Sequence, residues 1–146
     1  MKTSCTTACT TRTRKWVIDM SGPEKQFENR IKHFLHTVGI YPAGYPEQKM
    51  EAEPRGWYFK VWGGGFQKAG IPDLILNVNG SFMAIEVKSQ NGSPTDIQAL
   101  NVSRIRETGG EAFILYPSGF NHFQRFINAM LHNAVTIDPC SYGIYR

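Results

Sequence analysis

Asn79-Gly80, set between two apolar runs, constrains the fold of this chain more than any other feature. A two-residue type I′ hairpin loop needs positive φ at both central residues, and Asn and Gly tolerate it. The stretch from Gly70 to Gln90 therefore reads as two antiparallel strands joined by a tight turn. With Asn79 and Gly80 as the loop, Val78 faces Ser81, and counting outward puts Asp73 directly opposite Glu86. Period-two alternation sorts the side chains: Leu74, Leu76, Val78, Met83, Ile85 and Val87 share one face, and Asp73, Ile75, Phe82, Ala84, Glu86 and Lys88 the other.

Two carboxylates and an ammonium thus converge where the chain enters the hairpin from Pro72. Facing side chains have Cβ atoms roughly 4.5–5.5 Å apart, where like charges destabilise unless something compensates. A divalent cation would compensate, and Mg²⁺ or Mn²⁺ takes hard oxygen ligands of this kind. On this reading Asp73→Asn relieves repulsion in the metal-free protein. The plainer alternative is that Asp73 caps the strand entrance, Glu86 pairs with Lys88 and nothing binds; it leaves a carboxylate without a partner.

The rest of the chain is consistent with one domain. It has 146 residues, 41% of them hydrophobic, which is enough for a core, with no apolar run long enough to cross a membrane. The net charge of +4 suggests a polyanionic partner, but +3 of it falls within residues 1–20, so any basic surface must come from local clustering. That first segment is Thr-rich and acid-poor without an amphipathic stripe, and is expected to be a disordered extension, with Met20 a possible second start. Cys5, Cys9 and Cys140 have no neighbouring His and form neither a zinc site nor an even disulfide framework, which suits a reducing cytoplasm.

Ser21-Gly22-Pro23-Glu24 predicts a helix start, with Ser21 as cap and Glu24 closing a capping box, and the helix should run to Val38 before Gly39. Phe27, Ile31, Phe34, Leu35 and Val38 form its apolar stripe. Glu28 lies in line with Ile31 and Leu35, so its carboxylate leans over that face and needs a partner; Lys32 at i+4 would be a simple one. Residues 40–56, with three prolines, read as an irregular connection, and Trp57 to Trp62 as the first strand.

Gly63-Gly64-Gly65, bracketed by Lys60 and Lys68, is either a flexible turn or a phosphate-contacting loop, with Lys60, Gly64 and Lys68 as the nucleic-acid contacts. After the hairpin, Ser93-Pro94-Thr95-Asp96 opens a helix carrying Ile97, Leu100 and Ile105, with Gln98 in its first turn. A strand from Ala112 to Tyr116 completes a βαβ unit, making the sheet mixed. Phe120, Phe123, Phe126, Ile127 and Leu131 give a last helix whose stripe is core or a subunit contact, leaving 132–146 as a tail.

Pro72-Asp73 followed by Glu86-Val87-Lys88 resembles the signature of the PD-(D/E)XK nuclease superfamily. With Gly64-Gly65, Gly70-Ile71-Pro72-Asp73-Leu74 and the later Gln98, the set is similar to the VRR-NUC branch in its stand-alone phage or bacterial form, over residues 23 to 127. The resemblance implies a restriction-endonuclease-like α/β fold, αβββαβ with a mixed four-stranded sheet, spanning 21–131. It implies Asp73, Glu86 and the Val87 carbonyl as ligands of Mg²⁺ or Mn²⁺, and Lys88 and Gln98 as catalytic. Glu28 matches the acidic residue of the first helix beside the metal site, where it would hold a metal-bound water or a second metal, with Glu24 as the fallback.

The implied function is a DNA endonuclease selective for branched structures such as four-way junctions, working as a homodimer in repair or recombination, with no small-molecule cofactor and no membrane. The rival readings are a catalytically inactive nucleic-acid-binding module of the same fold, and a phage or plasmid structural protein without DNA contact.

Overall fold

The hairpin forms as its turn dictates. The structure, a computed structural model, describes residues 21–63 and 68–132. The extension expected at 1–20, Gly64 and Gly65, the tail from 133, and all three cysteines lie outside the described residues. Strands β3 (Leu74–Val78) and β4 (Ser81–Val87) pair antiparallel from Val78↔Ser81 to Leu74↔Ile85. Asn79 (φ 50°) is the one non-glycine at positive φ among the described residues, followed by Gly80 at φ 87°. Every side chain assigned to the inward face, from Leu74 to Val87, is buried in the main core.

Three more strands complete an open mixed sheet in the order β1-β2-β3-β4-β5. Strand β2 (Gly56–Lys60) runs antiparallel to β3, and β5 (Glu111–Leu115) parallel to β4 across a helical crossover. The sheet has five strands, not the four expected, because Ile40–Pro42 forms a short β1 parallel to β2 within what the sequence presented as irregular chain. Three residues ending in proline give no periodicity to read, yet Ile40 and Tyr41 are buried, and Pro42 is tolerated on an edge strand. Gly39 makes the pairing possible: it sits at φ 82°, where any Cβ would collide with the Glu53 carbonyl, and its own carbonyl accepts from the Arg55 and Gly56 amides. A single 3₁₀ turn, Glu47–Lys49, interrupts the connection from β1 to β2.

Helices α1 (Pro23–Thr37) and α3 (Phe120–Leu131) cover one face of the sheet. The α3 stripe is wholly core, with Phe120 edge-on to Phe27 at 5.7 Å and Phe126 edge-on to Phe113 at 5.3 Å, so it is not spare for a subunit contact. The start of α1 differs from expectation: Gly22 is the N-cap, no side chain caps it, and the Glu24 carboxylate accepts from the Ser89 amide instead of closing a box with Ser21. Proline at the first helical position preorganises the turn without that box.

Helix α2 (Asp96–Glu107) packs on the other face, over Ala84 and Ala112. Its buried side is Val102, with Ile105 against the same cluster; Ile97 and Leu100, the other apolar residues read on this helix, are 46% and 48% exposed. Its Asn101 and Ile97 abut Gly70, where a Cβ would lie 2.9 Å from both side chains. Among the described residues, no helix is long and apolar enough to cross a membrane.

Candidate active site

The site lies where β3 begins and β4 ends. Gly70 holds φ 80° and its carbonyl accepts from Asn101 Nδ2 at 2.8 Å, which ties the loop before Pro72 to α2 and sets where Asp73 enters the sheet. Asp73 stands one residue ahead of β3, at the level of Glu86 given the register that follows. Its main-chain carbonyl accepts from the Val61 amide at 2.8 Å, and its Oδ2 from the Val87 amide at 2.9 Å. Periodicity carries no sign of this last bond, since a side chain reaching a neighbouring backbone leaves no pattern.

Glu86 is 2% exposed, a depth at which an ionised carboxylate must be paired. Lys88 Nζ donates to its Oε1 at 2.7 Å and Gln98 Nε2 to the same oxygen at 2.5 Å. Nothing among the described residues donates to Oε2. Burial raises the Glu86 carboxyl above its usual range, the Asp73 charge adds to that, and the Lys88 bond only partly offsets it. Burial would lower the Lys88 ammonium, but the Glu86 contact outweighs it and holds Lys88 charged.

Glu28 is buried on α1 as its position in the stripe implied, and three lysines surround it. Lys25 donates to Oε1 at 2.8 Å, Lys32 to the same oxygen, and Lys60, from the end of β2, to Oε2 at 2.9 Å. Lys32 is therefore the i+4 partner the sequence offered, and Lys25 and Lys60 are additions. Burial favours the neutral acid, yet these bonds prevail and bring the Glu28 carboxyl down from 4.5 to about 2. Lys60 also reaches Asp73 Oδ1 at 3.2 Å, so one ammonium bridges carboxylates on two elements. Its own pKa is raised, burial opposing and the two acids winning.

Gln98 serves two structures at once. Thr95 caps α2 by accepting from the Gln98 amide at 3.4 Å, and Gln98 Oε1 accepts from the Thr95 amide at 2.8 Å, a capping box. The same side chain's Nε2 is what reaches Glu86. Lys68 is exposed, with no ion pair among the described residues, and is not drawn into the cluster; Gly64 is outside the described residues. Lys25 and Asn101 are participants that sequence reasoning missed. Lys25 sits three residues before Glu28, a spacing that could have revealed it.

The chain matches no family model, no curated protein and no solved structure. What the cluster can do is a question for its own geometry.

Among the described residues no three His, Cys, Asp or Glu side chains lie close enough to enclose a metal ion. The donors that do meet still suit Mg²⁺ or Mn²⁺, which is commonly held by one or two carboxylates with water and substrate phosphate filling the remaining positions. Asp73 and Glu86 are such a pair, the rise in the Glu86 carboxyl reflects in part the like charge beside it, and among the described residues Oε2 has no donor. Val87 follows Glu86 directly and its carbonyl is a third oxygen of the same hardness.

Proposed function

We propose that the protein is a metal-dependent DNA endonuclease of the PD-(D/E)XK type, with the VRR-NUC-like site formed by Asp73, Glu86, the Val87 carbonyl, Lys88 and Gln98. The observation that carries this is the convergence of Asp73 and the buried Glu86–Lys88 pair at one end of a hairpin. A purely structural role would be served by one carboxylate and one lysine. Asp73 is itself paired with Lys60 and the Val87 amide, yet its charge still raises the proton affinity of the buried Glu86, a juxtaposition that a bound cation would relieve. The helix-strand order of α1, β2, β3, β4, α2 and β5 also supports the reading, β1 being an addition at the sheet edge.

Mg²⁺ or Mn²⁺, when bound there, supplies Lewis-acid chemistry, neutralising the scissile phosphate and acidifying water. Lys88 Nζ, held charged at the site, can orient the attacking water or face the negative charge that builds on the phosphoryl oxygens. Gln98, its amide engaged at both ends, fixes the Glu86 carboxylate and acts here as a positioning residue. Glu28 is held through Lys60 beside Asp73 and so orders that carboxylate in turn.

Branched DNA is the proposed substrate, and resolving a four-way junction needs two such sites, hence a homodimer. The test is cleavage of a panel of junction, flap and blunt duplex DNA with Mn²⁺ or with EDTA, alongside light scattering. Mn²⁺-dependent scission sustains the proposal. Binding without scission would make the protein an inactive module, and no binding would end both readings.

A further inference from the structure

The site described above uses Lys60 but not the cavity that Lys60 also lines. A hollow of about 300 Å³ opens between the end of β2 and the chain leaving β1, walled by Lys32, Lys60, Tyr58, Phe59 and Trp62. Its size is at the small end of the roughly 300–1,000 Å³ typical of small-ligand pockets, far too small for a duplex. Two features distinguish it from an ordinary surface recess. Both charged groups in its wall are ammoniums, each also bonded to Glu28, around which three lysines outnumber the carboxylates they hold. Its rings are presented to solvent, Trp62 being 73% exposed and Phe59 44%. Phe59 in turn lies parallel to Trp57, at 6.5 Å and 9° between planes, so ring faces continue along β2 away from the carboxylates.

Aromatic faces next to cations are what single-stranded nucleic acid requires: every base has a π-face to stack, and the backbone seeks positive charge. A duplex offers no free base face. Position ties the hollow to the site, since the Lys60 ammonium in its wall is the one 2.9 Å from Glu28 Oε2 and 3.2 Å from Asp73 Oδ1.

We propose that this hollow takes an unpaired nucleotide next to the cleaved bond, its base against Trp62 and Phe59 and its phosphate on Lys32 and Lys60, so that the preferred substrate carries a single strand at the cut. The inference rests on the nuclease reading for the identity of the neighbouring site. It narrows the branched substrates to those with an unpaired arm, flaps and forks before fully paired junctions.

The experiment measures binding of a labelled oligothymidylate of about 12 nucleotides and of a blunt duplex in EDTA, where the metal plays no part. The parent should favour the single strand. Trp62→Ala should lose about tenfold or more in affinity for it, the effect of removing one stacking side chain, with little change on the duplex. Trp62→Phe should restore most of that loss, and Lys32→Ala should flatten the salt dependence by about one unit of slope. Circular dichroism checks the fold of each variant, and Phe59→Ala provides an independent loss. Parental single-strand affinity in Trp62→Ala and Phe59→Ala, or an equal loss on duplex, overturns the inference. If Mn²⁺-dependent cleavage is present while these variants bind normally, the pocket reading falls and the nuclease reading stands. If the binding pattern holds and the parent cuts nothing, the reverse is true.

Discussion

Asp73 Oδ2 accepts the backbone N–H of Val87 at 2.9 Å while its Oδ1 takes the Lys60 ammonium at 3.2 Å, so the carboxylate opposite Glu86 is satisfied by the protein's own groups. This changes what substitution there should do. Repulsion between facing acids alone would make Asp73→Asn neutral or stabilising. With an amide in place, the Val87 bond can survive, but the other end loses its charge-assisted contact or sets an NH₂ against Lys60. Asp73→Asn should therefore melt below the parent in EDTA, by roughly 1–3 kcal/mol. Adding Mn²⁺ at a hundredfold excess over its Kd should raise the parent's stability by about 2.7 kcal/mol and the variant's not at all. Paired thermal melts with and without the metal decide both points.

Acid unfolding should depend on Glu28. Its carboxyl is brought from 4.5 to about 2, a depressed folded value, so its contribution is complete above the unfolded pKa and is lost as pH falls from about 4.5 through about 2. At 1.36 kcal/mol per unit the contribution is on the order of 3 kcal/mol. Urea midpoints between pH 7 and pH 2.5 should fall steeply for the parent. The Glu28→Gln variant should be less stable at pH 7 and show a shallower decline; an unchanged slope would mean that the three lysines do not hold the charge.

Lys88→Ala should abolish cleavage without abolishing metal binding, because the ammonium is not a ligand. A rate loss of at least ~10² is expected, comparable to removing one electrostatic donor. Glu86 then stays buried with Gln98 as its donor, at a stability cost on the order of 3 kcal/mol. Calorimetry with Mn²⁺ should still show binding at neutral pH, and its absence would reassign Lys88 to shaping the site rather than to turnover.

Gln98 and Thr95 share a cap but not a function, which allows the two roles of Gln98 to be separated. Thr95→Ala should destabilise by about 1 kcal/mol, the usual cost of losing an N-cap, and leave cleavage within a few-fold of the parent. Gln98→Ala should cost similar stability and reduce cleavage much more, since it also frees the Glu86 carboxylate. Equal activity in the two variants would confine Gln98 to the helix start.

Local chemistry made the hairpin legible: Asn79-Gly80 admits one turn geometry, the turn fixes the register, and the register sets Asp73 beside Glu86 with Lys88 on the same face. The buried stripe of α1, and Glu28 within it, followed equally from a helical period. Strand β1 did not, because three residues carry no period and its pairing with β2 depends on Gly39 and a contact made 16 residues along the chain. Nor did the orientation of α2, in which Val102 and Ile105 face the sheet and Asn101 bonds the Gly70 carbonyl ahead of β3. The same holds for the Lys60 bridge between Glu28 and Asp73 and for the Val87 amide beneath Asp73. Sequence periodicity reports which side of an element is buried, but not which elements meet at its ends: the Lys60 bridge joins α1, β2 and the entry to β3, which only the assembled sheet brings together, and the Val87 bond is a side chain reaching backbone across the hairpin, which leaves no pattern in the residues.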